Sequence, residues 1–550
     1  MSAPNPRNEK QDNAIHSGHM EAGANDSAFA SDWKFVAEEG RAATEAEHNL
    51  TLKQAIKKYP RAIMWSVFVS LAIIMEGYDI VLLGSLFGQE AFRKRYGTFY
   101  PNADGGEYQI SAPWMSALGN APNVGAIFGA LANGYLTQRF GYRRVLLVSL
   151  TAVVAFVFIS FFAQSVAMLL VGEILCGIPW GVFATMAPAY ASEVCPTALR
   201  GYLTVYVNLC WAFGQLIAAG VMQGFQPMTT QWAYRVPFAI QWVWPVPLFC
   251  ILFFAPESPW WLVSKGRTEE AENTVMRLTS KNMTPHEAKQ IIAMMAHTHE
   301  IELEAETGTS YFDCFKGTDL RRTEIVCFVF GAEIFSGLQL GGNPTYFFEQ
   351  AGVPDSNAFK FSVGGLGLAS IGTMLSWFFI TAMGRRTIFV GGLFLSTCFL
   401  CLIGILSAAS PSSGSSYGQA GIVLFWMFLY YSTIGPVSYA IISETSAIQL
   451  RSKSVCLARI TYYLAAIVCA TISPYMINPT EANWKGKTGF FWGGTCFVCF
   501  IWAFFRLPET KGRTYEELDI LFGQGVRARD FSKCIVDAYA DEETNRIKRE

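Results

Sequence analysis

The sequence predicts an all-α membrane protein with twelve transmembrane helices in two six-helix pseudo-repeats. Composition is the first observation, because 52% of the 550 residues are hydrophobic and only 15% are charged. The second is that apolar residues fall into runs of about 18 to 25, the length that a helix needs to cross about 30 Å of hydrocarbon. The third is that short polar motifs recur in both halves of the chain. The alternating pattern of a membrane barrel is absent, so the runs are predicted to be helices.

The twelve apolar runs set the predicted organisation of the chain. They lie near 62–87, 114–136, 145–162, 166–190, 202–225, 236–254, 325–348, 360–382, 387–408, 420–442, 455–477 and 489–506. The chain then divides into five parts. They are a largely disordered cytoplasmic tail (1–60), a first bundle (61–255), a cytoplasmic linker (256–324), a second bundle (325–507) and a second cytoplasmic tail (508–550).

The linker is charged and carries two helical patterns, near 268–279 and 284–306. The second pattern opens with Thr284 and Glu287 at the spacing of a capping box, with Pro285 at the first helical position. We expect these helices to brace an inner gate. A simple solvated linker is the alternative.

Charge distribution predicts the orientation in the membrane. The first 60 residues are polar and contain no apolar stretch that could serve as a signal peptide, so the N-terminus is expected in the cytosol. That choice places most Arg and Lys residues of the short connections on the cytoplasmic side, as membrane proteins prefer. An even number of spans places the C-terminus there too. The net charge of -2 argues against a nucleic-acid partner.

The repeated motifs follow equivalent spans in the two halves. Ser192-Glu193 with Arg200 recurs 251 residues later as Ser443-Glu444 with Arg451. Pro256-Glu257-Ser258 recurs 252 residues later as Pro508-Glu509-Thr510. Basic residues occur in most inner loops, but that does not explain the matched glutamates, so we infer duplication. Two facing bundles create a central cavity that opens to one side at a time as they rock. Charged residues at these helix ends are the predicted gate: Arg143, Arg144, Glu193, Arg200, Glu257, Arg385, Arg386, Glu444, Arg451 and Glu509.

These motifs resemble the sugar porter family of the major facilitator superfamily, from about residue 60 to 520. The residues that carry the resemblance are Gly141-Tyr142-Arg143-Arg144, Glu193, Pro196, Leu199-Arg200-Gly201, Pro256 to Leu262, Gly384-Arg385-Arg386 and Pro508 to Thr514. Within that family, the chain resembles the fungal α-glucoside transporters of the maltose permease type at Glu76-Gly77-Tyr78-Asp79, Gly177 to Gly181, Tyr190 to Pro196 and Gln241 to Pro245. The resemblance implies proton-driven import of maltose or related α-glucosides across the plasma membrane.

The chain departs from the family at several places. Gln138 replaces the acidic residue that usually follows the second span, and Thr-Ala-Met stands at the equivalent place in the second half, 381–383. The double glutamine of many sugar porters on the seventh span is Ala332-Glu333 here. Substrate contacts of monosaccharide carriers therefore do not transfer directly.

Ionisable residues inside spans are the candidates for proton coupling, because each costs about 2.5 to 3.5 kcal/mol on insertion scales. Glu76 and Asp79 lie three residues apart on one helix face. Glu173 stands where most sugar porters place an arginine. We expect Arg459, on the eleventh span, to replace that arginine as the electrostatic partner of Asp79 or Glu173. The alternative is a static buried ion pair between Glu173 and Arg459.

Amides and aromatic rings are the expected sugar-binding groups, since sugars combine hydroxyls with apolar C–H faces. The resemblance implies Asn208 on the fifth span and Gln339 on the seventh, and Gln215 is a further candidate. It also implies aromatic contacts on the tenth and eleventh spans, at Tyr439, Tyr462 and Tyr463. Glu333 is expected either to bind sugar hydroxyls or to pack as an acid bonded to a neighbouring helix.

No other chemistry is predicted. The six histidines show no metal-binding spacing and no phosphate-binding loop occurs, so we expect no cofactor, no metal, no enzyme activity and no ATP-driven pump. The expected partners are a sugar, protons and the lipid bilayer. Three alternatives stay open: a β-linked disaccharide or monosaccharide as cargo, uniport without protons, or a sugar sensor. Sensors tend to have a long cytoplasmic tail, and only about 40 residues follow the last span here.

Overall fold

The structure is a computed structural model that describes residues 50–101, 107–281, 283–306, 310–409, 413–446, 450–511, 513, 515–535 and 548–549. The described residues form two compact units. The smaller unit draws its residues from 1–62, 193–199 and 256–307, and the larger from 63–192, 200–255 and 308–550. Most of the predicted N-terminal tail, residues 1–49, lies outside the described residues.

Helices dominate the first half of the chain. In order they are α1 (Leu52–Lys58), α2 (Pro60–Ser70), α3 (Ile73–Leu86), α4 (Glu90–Tyr96), α5 (Ala112–Phe140), α6 (Tyr142–Phe161), α7 (Val166–Val194), α8 (Thr197–Phe225), α9 (Trp232–Ile240) and α10 (Pro245–Leu252), with a 3-10 turn at Gln241–Val243. A short antiparallel hairpin, β1 (Thr98–Tyr100) with β2 (Glu107–Gln109), follows α4. The sequence reasoning did not predict this hairpin.

The linker and the second half continue the helical pattern. The linker holds α11 (Pro259–Ser264), α12 (Thr268–Leu278) and α13 (Pro285–Glu306). After a 3-10 turn at Tyr311–Phe315, the second half holds α14 (Gly317–Glu333), α15 (Gln339–Gly342), α16 (Pro344–Gln350), α17 (Asp355–Ala382), α18 (Arg385–Ala409), α19 (Ser413–Ser432), α20 (Ile434–Thr445), α21 (Arg451–Ile477) and α22 (Thr488–Arg506). A π-helical stretch, Ile334–Leu338, joins α14 to α15, and a 3-10 turn, Lys485–Lys487, precedes α22. The tail holds α23 (Tyr515–Gly523), a 3-10 turn at Ala528–Asp530, and β3 (Cys534–Ile535) paired with β4 (Lys548–Arg549).

Twelve spans are present, as the sequence predicts. Eleven segments, from Pro60–Leu86 to Lys485–Arg506, are long and apolar enough to cross a membrane. The remaining span is α5, whose 29 residues include many Gly, Ala and Asn residues that lower its hydropathy. Those small residues serve packing, because a Cβ at Gly125 would lie 2.1 Å from the Ile174 carbonyl oxygen of α7. Close backbone approach of this kind is how helices associate in lipid.

The helices of several spans are interrupted close to the candidate functional residues. The first span breaks between α2 and α3, and the sixth breaks at the 3-10 turn that contains Gln241. The seventh breaks at Gly337, whose φ of 95° is accessible to glycine but strained for other residues. Broken helices expose backbone groups only where they line a cavity or are buried in protein, so these breaks indicate the functional region.

The two halves touch at the end of the bundle that carries the β1–β2 hairpin, here called the hairpin end. Asn478 Nδ2 donates to the Ile110 carbonyl oxygen at 3.0 Å, and Ser116 Oγ donates to the Thr471 carbonyl oxygen at 3.0 Å. Asn120 Nδ2 adds a 2.9 Å bond to Thr471 Oγ1. These bonds link α5, and Ile110 just before it, in the first half to α21, and Asn478 just after it, in the second. The opposite end of the larger unit, which carries Arg143, Arg144, Arg385, Arg386, Glu444 and Glu509, is called the motif end.

The smaller unit has its own apolar core. Leu262, Val275 and Ile292 bring α11, α12 and α13 together, with Tyr59 packed against them. Helices α12 and α13 confirm the two linker helices that the sequence predicts.

The capping box at the start of α13 is also confirmed. Thr284 N donates to Glu287 Oε2 at 3.0 Å, and Glu287 N donates to Thr284 Oγ1 at 3.3 Å. The hydrogen bond from the Thr284 backbone N–H is the main reason why the pKa of the Glu287 carboxyl is lowered below its usual value. Lys58 Nζ, 3.2 Å from Glu287 Oε1, lowers it further. The pair with Lys58 ties α1 to α13.

Candidate functional site

A buried carboxylate, Asp79, is the centre of the site in the first half. It lies in the middle of α3 with a relative exposure of 1%. Gln241 Nε2 donates to Asp79 Oδ1 at 2.7 Å, and Trp180 Nε1 donates to Asp79 Oδ2 at 3.2 Å. Gln241 reaches this position because the helix of the sixth span is interrupted there. Both oxygens of Asp79 are thus held by uncharged donors from two other spans.

Glu173, on α7, is the second carboxyl group of this site. It is 1% exposed, and Ser160 Oγ donates to its Oε1 atom at 3.1 Å. The Asp79 and Glu173 carboxyl groups are electrostatic neighbours inside the first half. Glu173 Oε2 is buried and has no hydrogen-bond partner among the residues that the structure describes. Two buried carboxylates that are both ionised repel each other, so a proton on one of them stabilises the pair.

Glu76 lies one helical turn before Asp79 on α3. Its side chain keeps an intermediate accessible surface, unlike that of Asp79. Its electrostatic neighbours are Arg459 of the second half and Asp79. The next residue, Gly77, lets α3 approach α8 closely, since a Cβ there would lie 2.2 Å from the Trp211 carbonyl oxygen.

Arg459, on α21, sits in a cage of aromatic rings. Its guanidinium carbon lies 5.3 Å from the ring centre of Phe330, 5.4 Å from that of Tyr462, and 5.7 Å from those of Tyr439 and Tyr463. Arg459 Nη1 also donates to the Tyr439 hydroxyl at 3.4 Å. Each ring face favours the cation, which stabilises a charge inside the bundle.

The structure regroups the ionisable residues that the sequence singled out. Arg459 interacts electrostatically with Glu76 and Glu333, while Glu173 contacts Ser160 and Asp79. The static ion pair between Glu173 and Arg459, one of our alternatives, is therefore not formed here. The physical reason is that Ser160 and Asp79 hold Glu173 within the first half, whereas the aromatic cage holds Arg459 in the second.

Glu333 ends α14 just before the break of the seventh span. It is 6% exposed, and its Oε2 atom lacks a hydrogen-bond partner within the described part of the chain. The Tyr430 hydroxyl donates to the Glu333 carbonyl oxygen at 3.3 Å, and Ser336 Oγ donates to the same oxygen at 2.8 Å. The buried carboxyl thus has Arg459 as its electrostatic neighbour and a free oxygen.

A cavity lies between the halves, with an empty space of about 1030 Å³ that includes a part open to solvent. Three predicted substrate residues line it, namely Gln215, Gln339 and Tyr462. The other four, Asn208, Glu333, Tyr439 and Tyr463, are not in its lining, although the last three belong to the region around Arg459.

Sequence reasoning missed six polar or aromatic residues of the cavity: Phe87, Asn123, Trp211, Asn343, Tyr346 and Ser473. Two carry a signal in the sequence. Asn123 follows a proline inside an apolar span, and Asn343 precedes Pro344 at a helix break. Amides in such places are strong candidates for a cavity wall, because lipid offers them no partner.

Gln215 is oriented by the other half of the protein. The Tyr431 hydroxyl of α19 donates to Gln215 Oε1 of α8 at 2.9 Å. This bond satisfies the amide oxygen and leaves the amide N–H groups for a ligand. The Trp211 ring lies one turn before Gln215, with its centre 6.3 Å from that of Tyr431.

The predicted gate residues of the second half form a linked group at the motif end. Arg385 Nη2 donates to Glu444 Oε1 at 2.9 Å, and the Arg385 backbone N–H donates to Glu509 Oε1 at 2.7 Å. Thr510 Oγ1 donates to Glu444 Oε2 at 2.6 Å. Arg386 instead donates to the carbonyl oxygens of Phe504 and Leu507.

The gate residues of the first half are placed less completely. Arg143, at the start of α6, lies 5.1 Å from the Phe253 ring centre, and Arg144 is exposed. In the smaller unit, Ser258 Oγ donates to Glu193 Oε2, and Ser258 N donates to Glu257 Oε1 at 3.2 Å. The side chains of two predicted gate residues lie outside the described residues: Arg200 and Arg451.

Two similar helical halves that enclose a cavity, with ionisable groups buried beside it, define a membrane carrier. Residues 65–522 match the family described as Sugar (and other) transporter. The chain therefore belongs to the sugar (and other) transporter family, and it is a multi-pass membrane protein and a transporter rather than an enzyme. This confirms the resemblance that the motifs indicate.

The chain is similar to yeast permeases along nearly its whole length. It is 40% identical over 549 residues to the general alpha-glucoside permease of Saccharomyces cerevisiae, which covers 97% of this chain and 88% of that protein. A maltose permease of the same yeast is 39% identical over 510 residues, covering 92% of this chain and 82% of that protein.

Solved structures of the xylose transporter XylE from E. coli share the fold. The partially occluded inward open form has a TM-score of 0.67 and 19% identity, and it covers 82% of this chain and 99% of that chain. The inward open form has the same TM-score and identity, with coverage of 84% and 99%. The major facilitator fold predicted from the sequence is confirmed.

Proposed function

We propose that this protein imports α-glucosides such as maltose by alternating access, in symport with protons. The observation that carries the proposal is the pair of buried neighbouring carboxyl groups of Asp79 and Glu173, which a proton would stabilise and which lies within the half that also contributes Gln215 to the cavity. Relatives named as α-glucoside and maltose permeases, at about 40% identity over most of the chain, support the choice of cargo.

The electrostatic arrangement supports proton coupling through separate groups in the two halves. The first half holds Asp79 and Glu173, and the second holds Arg459 with Glu333. Glu76 belongs to the first half but has Arg459 as a neighbour. Rocking of the halves changes the distance between Arg459 and these acids, and with it their affinity for a proton. In this mechanism the charge of Arg459 first changes the proton affinity of Glu76. The charge of Glu76 then changes the proton affinity of Asp79, one helical turn away.

Sugar recognition in this proposal uses the cavity between the halves. Gln215 and Gln339 supply amide groups to sugar hydroxyls, and Trp211 and Tyr462 offer ring faces to the C–H surfaces of the pyranose rings. Asn208, Glu333, Tyr439 and Tyr463 act later in the cycle, when the halves rearrange. Residues at the motif end of the larger unit close the path on the opposite side: Arg143, Arg144, Arg200, Arg385, Arg386, Glu444, Arg451 and Glu509.

We further propose that the protein lies in the plasma membrane with both termini in the cytosol. The hairpin end is then extracellular, and the bonds of Asn478, Ser116 and Asn120 close the cavity on that side. Sugar would leave toward the cytosol from this state. The concentration of Arg and Lys at the motif end supports this orientation.

Uptake by cells that lack their own sugar carriers tests the cargo. Cells expressing this chain are given labelled maltose, a β-linked disaccharide, glucose or xylose, and uptake is compared with cells that carry an empty vector. We expect maltose and other α-glucosides to enter and to compete with one another. Uptake of glucose without maltose, preference for the β-linked sugar, or surface expression with no uptake of any sugar would contradict the proposal.

A further inference from the structure

A second cavity, remote from the sugar path, is strongly basic. It lies where the seventh and twelfth spans meet the C-terminal tail, with an empty space of about 1060 Å³ that includes a part open to solvent. Four arginines line it, together with one acidic residue, Asp530: Arg321, Arg506, Arg527 and Arg529.

The arginines of this cavity repel one another. Arg321 and Arg506 interact as like charges, and Arg529 interacts in the same way with Arg386. Glu324 forms an ion pair with Arg506 and compensates one charge. Arg321 Nε is buried and has no hydrogen-bond partner in the part of the chain that the structure describes. A folded protein keeps like charges together when an anion compensates them, and guanidinium groups suit phosphate in particular.

The tail is folded so that it brings its arginines to this place. Gly525, with a φ of 66°, turns the chain after α23, and Arg321 Nη1 donates to the Val526 carbonyl oxygen at 2.7 Å. The 3-10 turn that follows carries Arg527 at its start and Arg529 within it. The cavity is therefore built by tertiary contacts and not by a loose basic tail.

The depth of the cavity relative to the lipid follows from the aromatic residues beside it. Phe504 and Phe505, in the last turn of α22, are 39% and 59% exposed on a membrane span. The Arg529 guanidinium carbon lies 4.3 Å from the Phe504 ring centre and 4.6 Å from that of Phe505. A cation stacked on lipid-facing rings at the end of a span lies at the level of lipid headgroups.

We propose that this cavity binds the phosphate headgroup of an anionic membrane lipid. Basic pockets between transmembrane helices are known to take anionic headgroups, and phosphate matches the arginine geometry. Arg527 and Arg529 are exposed, and we place neither in the sugar path or the gate. The site is independent of the proposed transport function, so a binding measurement tests it without any sugar.

Native mass spectrometry of the purified full-length protein in detergent provides the test. Dioleoylphosphatidylserine is the probe, and dioleoylphosphatidylcholine, which has no net charge, is the reference lipid. We expect phosphatidylserine to bind more tightly, and the double variant Arg527→Gln/Arg529→Gln to weaken that binding about tenfold or more. The matched control is Lys485→Gln/Lys487→Gln, which removes two exposed cations at the other end of α22 and should change nothing.

Two controls separate the possible outcomes. Size-exclusion chromatography establishes that the arginine variant is folded, and Arg529→Lys, which keeps the charge but loses the planar group, should give an intermediate affinity. Equal binding of the two lipids, or equal weakening by the lysine control, would overturn the proposal. Displacement of the lipid by inorganic phosphate at the same concentration would also overturn it, because the site would then recognise a free anion.

Discussion

Gln241 Nε2 donates a 2.7 Å hydrogen bond to Asp79 Oδ1, which joins the interrupted sixth span to the middle of the first. Together with Trp180 on the fourth span, this bond holds Asp79 in one orientation with its second carboxyl neighbour, Glu173, beside it. The arrangement places the carboxyl pair that we propose to bind the proton at the junction of three spans of one half. The proposed coupling of sugar to protons depends on this position of the two carboxyl groups.

Replacement of this carboxylate should uncouple transport. We expect Asp79→Asn to lose accumulation of labelled maltose above the external concentration while maltose still equilibrates, because an amide of the same size cannot gain or lose a proton. Accumulation is measured in intact cells, with surface expression checked by fluorescence. Asp355→Asn is the control, since that carboxylate is largely exposed at the hairpin end and should accumulate maltose normally. Concentrative uptake by Asp79→Asn would show that the proton binds elsewhere.

Removal of the caged cation should destabilise the second half. Arg459→Gln leaves Glu333 without its positive neighbour, so we expect the midpoint of thermal unfolding in detergent to fall, by a stability loss of about 1–3 kcal/mol. Arg459→Gln/Glu333→Gln should recover part of that loss, because the uncompensated charge is gone. Fluorescence-detected thermal unfolding of the wild type, Arg459→Gln, Glu333→Gln and the double variant completes the double-mutant cycle. A double variant no more stable than Arg459→Gln would argue that Arg459 acts on other groups.

The Tyr431–Gln215 hydrogen bond should affect sugar affinity more than turnover. Loss of one such bond costs about 0.5–1.5 kcal/mol, so Tyr431→Phe should raise the KM for maltose about twofold to tenfold with little change in maximal rate. Gln215→Leu, which removes the amide itself, should have the larger effect. Tyr417→Phe is a matched control, since that hydroxyl bonds to Asn357 at an exposed position. Equal KM values for the Tyr431 and Tyr417 variants would exclude Gln215 from sugar binding.

The capping box of α13 should show a pH dependence set by Glu287. The pKa of this carboxyl is lowered from the ordinary 4.5, so its contribution to stability is complete above about 4.5 and is lost as the pH falls through the lower folded-state value. At pH 7, Glu287→Ala should speed amide exchange in the first turn of α13 more than Glu287→Gln, because glutamine can still form the capping box. Hydrogen exchange measured by mass spectrometry checks this. Identical exchange in both variants would mean that the cap contributes nothing.

Most of the fold could be predicted from the sequence because lipid imposes strong rules on it. Run length and the need to satisfy the backbone define eleven spans by hydropathy alone. The small residues of α5 make that span weakly apolar, yet its apolar run near 114–136 still predicts a helix there, and Gly125 shows why small residues are used. The β1–β2 hairpin was missed because its strands are only three residues long, too short to show an alternating pattern, although Asp104-Gly105 between them is a turn signal.

The site could be predicted only in part, because residue type marks a candidate but not its partner. Asp79, Glu173 and Arg459 were recognised as costly charges inside spans, but their grouping depends on helix rotation and on breaks such as the one that places Gln241. Gln215 was a predicted sugar-binding residue because of its amide group. Its bond to Tyr431 crosses the two halves over 216 residues of sequence, a distance that no local pattern reports.

The central claim, coupled movement of maltose and protons, is tested most directly with purified protein in liposomes that contain a trapped pH-sensitive dye. Maltose is added outside at equal internal and external pH, with potassium and valinomycin present to prevent a membrane potential. The account predicts acidification of the interior that requires maltose and is absent with Asp79→Asn. Entry of labelled maltose at the wild-type rate with no change of internal pH would contradict it.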